Sequence, residues 1–111
     1  YLWGGKTPLG IDCSGLTQMT YRINGYNIPR DASQQVKLGE TLSFIDESEA
    51  GDLAFFDNEE GEIIHVGLLL KNHYILHAHG EVRIDRIDQT GIYNVNLMKH
   101  THRLRLIKKL I

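Results

Sequence analysis

Residues 63–78 read Ile63-Ile-His-Val-Gly-Leu-Leu-Leu-Lys-Asn-His-Tyr-Ile-Leu-His-Ala78, two apolar runs joined by a polar turn. Side chains alternate across a strand, so the first run puts Ile64, Val66, Leu68 and Leu70 on one face and Ile63, His65, Gly67 and Leu69 on the other. The second run, 74–78, returns antiparallel through the turn at Lys71 and Asn72. An odd-length loop centred on Lys71 sets His65 directly opposite His77, within hydrogen-bond reach. Alternation alone leaves His73 and His79 open as partners, since both share a face with His77.

Outward from this hairpin, short β-rich runs at 42–45, 53–56, 82–85 and 104–111 are separated by Asp57-Asn58, Glu60-Gly61 and His79-Gly80. The segment 89–102 gives mixed signals and is expected to be irregular, with His100 and His102 in a loop. Arg103-Leu-Arg-Leu-Ile-Lys-Lys109 alternates like an edge strand guarded by charge. Upstream the period is helical. Leu16, Met19 and Ile23 recur at spacings of three and four, which predicts a helix over 14–24 with Asp12 as N-cap and Gly25 as stop. A shorter helix, 32–38, is expected after Asp31. Helices first and strands afterwards argue for an α+β fold with helices packed on one face of an antiparallel sheet.

The 111 residues are the size of one domain, and 12 basic against 14 acidic residues leave a net charge of −2 without a basic block, so no nucleic-acid partner is expected. No segment approaches the length of a membrane span. The single cysteine excludes an internal disulfide. The chain opens on Tyr1 with neither methionine nor signal peptide, and is expected to be part of a longer polypeptide.

That cysteine, Cys13, follows a glycine-rich loop and stands at the expected helix start. The positive end of a helix lowers a thiol's pKa, so this position suits a nucleophile with the thiol titrating near neutrality. A thiol nucleophile needs an imidazole base held in one tautomer by a third group, and His65 with His77 supplies such a pair. Cys13, His65, His77 and His79 also carry metal-ligand atoms, but their spacing is unlike that of structural zinc sites, and no metal or cofactor is expected. The carboxylates at 46–49 and 57–60 lie in turn-like polar stretches and read as solvated loop charges.

Six segments in order, Tyr1-Leu-Trp-Gly-Gly5, Asp12-Cys-Ser-Gly-Leu16, Pro29-Arg-Asp-Ala-Ser-Gln34, Gly51-Asp-Leu-Ala-Phe-Phe56, His65-Val-Gly67 and Leu76-His-Ala78, resemble the NlpC/P60 cysteine peptidases over nearly the whole chain. The stretch 77–91 looks like the branch of γ-D-glutamyl-L-diamino acid endopeptidases. The resemblance implies a papain-like α+β catalytic domain spanning 1–111, with SH3-like domains upstream, that cuts murein stem peptides of the L-Ala-γ-D-Glu-diamino acid type. It further implies Cys13 as nucleophile, His65 as base, His77 as the group orienting His65, and Tyr1 beside the thiol, sharing the oxyanion with the Cys13 backbone N–H. His79 is the substitute for His77. Asp12 and Ser14 would bind the free amine of the substrate and its neighbouring groups, with Trp3 and Asp31 lining the same groove. Wall-acting members are exported to the envelope or beyond, and recycling members can remain in the cytoplasm. Two other readings share these residues: a thiol amidase or acyltransferase on a non-murein amide, and a non-catalytic module that binds murein peptide.

Overall fold

Asp12 starts the first helix: its carboxylate accepts the Gly15 N–H at 2.8 Å, satisfying one of the donors a helix N-terminus leaves unpaired. The helix α1, Cys13–Ile23, ends where Gly25 takes a φ of 89° and the Tyr26 N–H reaches back to the Tyr21 carbonyl. The computed structural model describes residues 12–111, and Tyr1 and Trp3 lie outside them. After α1 come α2 (Ala32–Gln35), β1 (Glu40–Leu42), a single 3-10 turn (Ile45–Glu47), β2 (Leu53–Asp57), β3 (Ile63–Leu70), β4 (Tyr74–His79), β5 (Glu81–Ile87), β6 (Gly91–Asn94) and β7 (Lys99–Lys109).

The seven strands are all antiparallel, in the order β1-β7-β2-β3-β4-β5-β6, and β6 pairs back onto β7. The sheet therefore closes on itself. The expectation of helices laid on a central sheet is corrected to a barrel-like sheet with α1 against β3 and β4 and α2 against β3. Closure needs a strand that the sequence conceals: β7 begins at Lys99, inside the stretch expected to be irregular, and carries both His100 and His102. Nor is β7 an edge. It pairs β2 along 103–108, β6 along 99–103 and β1 along 107–109, while Arg103 and Lys109 turn outward to Asp57 and Glu49. Gly91 permits the β6–β7 approach, because a Cβ there would stand 1.8 Å from the His102 carbonyl oxygen.

Two apolar layers result. Ala54, Phe56, Leu69, Ile75, Ile87, Ile92 and Ile107 fill the barrel, while Leu53, Phe55 and Val66 meet Tyr21 and Ile28 on the helical side. Alternation in β2 thus buries Phe55 and Phe56 on opposite faces, each side chain contributing about 2–3 kcal/mol by burial. Leu104 and Ile107 both serve the barrel although they are three positions apart, because the β7 register slips between the partners of Phe55 and Phe56. The strand expected at 42–45 is displaced to Glu40–Leu42, with the 3-10 turn following. The second helix stops at Gln35 instead of reaching 38.

Candidate active site

The start of α1 rests where two strands part. The β3–β4 ladder runs only from Leu68 opposite Leu76 to Leu70 opposite Tyr74, so the 63–67 stretch of β3 lacks a β4 partner in the ladder. Cys13 lies against this stretch, packed beside Val66, and the backbone N–H groups of Val66, Ser14 and Cys13 act to lower its thiol pKa. The first turn of α1 is pinned from beneath: the fully buried Gln35 donates to the Ser14 and Pro29 carbonyls and accepts from the Thr17 hydroxyl.

The observed register is two residues away from the expected one. The three-residue loop 71–73 is centred on Asn72, with Asn72 and His73 both at positive φ, so His77 does not face His65 across the ladder. The two imidazoles meet diagonally instead, with His65 Nε2 and His77 Nδ1 2.8 Å apart. Gly67 leaves the room for this. A Cβ there would fall 2.5 Å from Ile75 Cδ1 and 3.2 Å from His77 Cβ. Gly67→Ala is therefore expected to push His77 and Ile75 aside, costing on the order of 1–3 kcal/mol in urea unfolding and at least tenfold in turnover. A variant with unchanged kcat would show that the diagonal contact is dispensable.

His79 is exposed, stands 6.2 Å centroid to centroid from His65, and shares no hydrogen bond with it. His73 lies in the turn, close to Asp46. Of the three partners that alternation left open, only His77 touches His65.

Two residues passed over in the sequence complete the cluster. Asp85 on β5 is 1% exposed, and its Oδ2 lies 2.8 Å from His77 Nε2, while Arg83 reaches both of its oxygens at 2.9 and 3.0 Å. His102 stacks on His65 with centroids 4.2 Å apart and rings 24° from parallel. The signal that hid Asp85 is Ile84: hydrophobic alternation would turn Ile84 inward, yet Ile84 is 57% exposed and Asp85 is not. Among the described residues no group of three His, Cys, Asp or Glu side chains is placed to hold a metal ion, and no helix is long and apolar enough to cross a membrane.

Electrostatics correct the expected thiol. Burial pushes the Cys13 thiol above its ordinary pKa; the Val66 N–H works against this, and the Asp12 carboxylate adds to it. Burial also drives His65 down to about 2, helped by His102, His77 and His79, and lowers His77 against the pull of Asp85. At neutral pH the thiol and the His65 imidazole are thus both uncharged. Burial acts to raise Asp85, but Arg83 and His77 outweigh it and hold the carboxyl at about 2.

Asp12 and Ser14 are joined by a residue that sequence reasoning had not singled out. Arg30 donates to Asp12 Oδ2 at 2.7 Å and to Ser14 Oγ at 2.9 Å, so the carboxylate expected to meet a substrate ammonium already faces a guanidinium. Asp31 occupies the N-cap position of α2, exposed and making no side-chain cap bond.

The model of the NlpC/P60 family matches residues 1–102. The chain is 48% identical over 80 residues to a gamma-D-glutamyl-L-lysine dipeptidyl-peptidase of Bacillus subtilis, covering 70% of this chain and 27% of that protein. It is 41% identical over 92 residues to dipeptidyl-peptidase 6 of Lysinibacillus sphaericus, covering 80% of this chain and 32% of that protein. It therefore spans a third or less of the length of these relatives. Among solved structures, RipD of Mycobacterium tuberculosis, described as a non-catalytic NlpC/p60 domain protein adapted to peptidoglycan binding, superposes with a TM-score of 0.69 at 25% identity, over 92% of this chain and 68% of RipD.

Proposed function

The chain belongs to the NlpC/P60 family, and from that premise we propose that it is a cysteine endopeptidase hydrolysing the amide between γ-D-glutamate and the diamino acid of murein stem peptides. The observation that carries this reading is the His65–His77 contact of 2.8 Å on the strand segment against which Cys13 rests. The substrate assignment is supported by the 48% identity to a relative named for the γ-D-glutamyl-L-lysine bond.

In the proposed reaction His65 takes the Cys13 proton as Sγ bonds to the γ-carbonyl carbon, and the carbonyl oxygen becomes an oxyanion held by the Cys13 backbone N–H and the Tyr1 hydroxyl. The C–N bond then breaks as His65 returns the proton to the departing amine, leaving a γ-glutamyl thioester. Water, deprotonated by His65, attacks the thioester carbonyl, and the thiolate leaves and regains its proton. His77 holds the His65 ring through its Nε2. Asp12 and Ser14 are assigned to the amino-terminal end of the substrate, where an ammonium group competes with Arg30 for Asp12 Oδ2. Trp3 and Asp31 are assigned to the same groove.

On this reading the domain is the catalytic part of a longer chain with SH3-like domains upstream, acting on the wall from the cell envelope or outside it, or on released peptides in the cytoplasm. The full-length protein is expected to release L-Ala-D-Glu dipeptides from purified murein or stem peptides, as identified by mass spectrometry. Cleavage at any other amide assigns a different thiol amidase. Retention of intact peptide without cleavage assigns a binding module, the role stated for RipD; the intact Cys13, His65 and His77 speak against that outcome.

A further inference from the structure

A buried carboxylate on a barrel-facing strand position is an expensive choice, because an enclosed ion pair is a weak source of stability compared with apolar side chains of the same volume. Asp85 lies opposite Ile75 and two residues from Ile87, both of which fill the barrel. Every polar group around it is nevertheless satisfied: Arg83 grips it from one side, the Val95 N–H approaches Oδ1 at 3.4 Å, and His77 takes Oδ2. Arg83 is itself fixed by Asn94 and Asn96. The carboxylate is therefore held rigidly against one particular nitrogen of one particular histidine.

We propose that Asp85, clamped by Arg83, is a positioning residue that sets the tautomers of His77 and His65 so that His65 presents a bare Nδ1 to Cys13. An ionised carboxylate can only accept, so His77 must carry its proton on Nε2. Its Nδ1 is then a lone pair, and the hydrogen bond to His65 Nε2 exists only if that nitrogen carries the His65 proton. Nδ1 of His65 is left without a proton. It is the nitrogen that the proposed reaction needs as base toward Cys13. A proton preference set at Asp85 is passed through two rings to the atom that must act as base. An unbuffered pair of neutral histidines has no such preference, since either ring could donate.

This inference rests on the thiol-activation part of the proposed function but not on the substrate, and its test needs no substrate. In 15N-histidine-labelled protein at neutral pH, the imidazole shifts are expected to show Nε2–H with bare Nδ1 for both His65 and His77. In Asp85→Asn, the carboxamide can donate to His77 Nε2, and both rings are expected to shift partly to the Nδ1–H form. Turnover should then fall on the order of a hundredfold or more through kcat with KM unchanged, as when a triad carboxylate elsewhere is converted to its amide. A wild-type His65 protonated on Nδ1 would overturn the proposal by itself, whether or not the variant folds. So would a folded Asp85→Asn protein with unchanged tautomers. If the tautomers respond as stated while no murein peptide is cut, the substrate reading fails and this one stands.

Discussion

Cys13→Ala is expected to remove amide hydrolysis, by on the order of a million-fold in kcat, while shifting the stability of the domain by about 1 kcal/mol or less. The asymmetry follows from where the thiol sits. Cys13 is only half buried, at the rim of the layer formed by Tyr21, Leu53, Phe55 and Val66, so losing one sulfur opens little space. The helix start does not depend on it either, since Asp12 and Gln35 hold the first turn. Chemistry, by contrast, has no substitute nucleophile, because this is the chain's single cysteine. In the proposed reaction, the raised thiol and the depressed His65 make the thiolate form as the proton moves to the imidazole, not before. Cleavage followed by mass spectrometry, with a thermal melt of the same sample, checks both halves of the expectation. Residual cleavage near the parent rate would rule out covalent catalysis at this residue, and a collapsed melt would make Cys13 a packing residue.

The same cluster shows what kinds of information the chain displays locally. The cap at Asp12, the stop at Gly25 and the helix between them are set by residues within a few positions, and they were legible. So was the pairing of His65 with His77, through motif order and strand parity together. Parity placed His77 on the right face but not at the right rung: the centre of the turn was fixed by two positive-φ residues, Asn72 and His73, that composition did not distinguish from Lys71. Asp85 and His102 were illegible for a different reason. Their environment is created by closure of the sheet, and the strand that closes it, β7, carries His100 and His102 in a polar stretch with no apolar alternation of its own. Arg30 likewise became visible only when the 29–35 segment folded back on α1.

Acidification is expected to unfold the domain well before its surface carboxylates titrate, because two buried histidines and a half-buried third, His102, are held uncharged. A histidine whose folded pKa lies below its unfolded value near 6.5 binds fewer protons when folded, so the stability it confers is complete above about pH 6.5 and is lost as pH falls toward the folded pKa. His65 is held down to about 2 and His102 to about 4, both chiefly by burial, and His77 is lowered in the same direction. Between pH 7 and pH 5 each of the first two withdraws about 2 kcal/mol, a large part of the roughly 5–15 kcal/mol available to a domain. His77 adds to the loss. Asp85, held at about 2, confers stability that is lost only below its unfolded value near 4, and contributes nothing to the change in this window. Urea midpoints measured from pH 7 to pH 5 should therefore fall with a slope of two to three protons. His102→Phe should keep the stack on His65 and reduce that slope by one. A midpoint flat across the range would mean that the imidazoles charge freely in the folded protein and that burial does not hold them neutral.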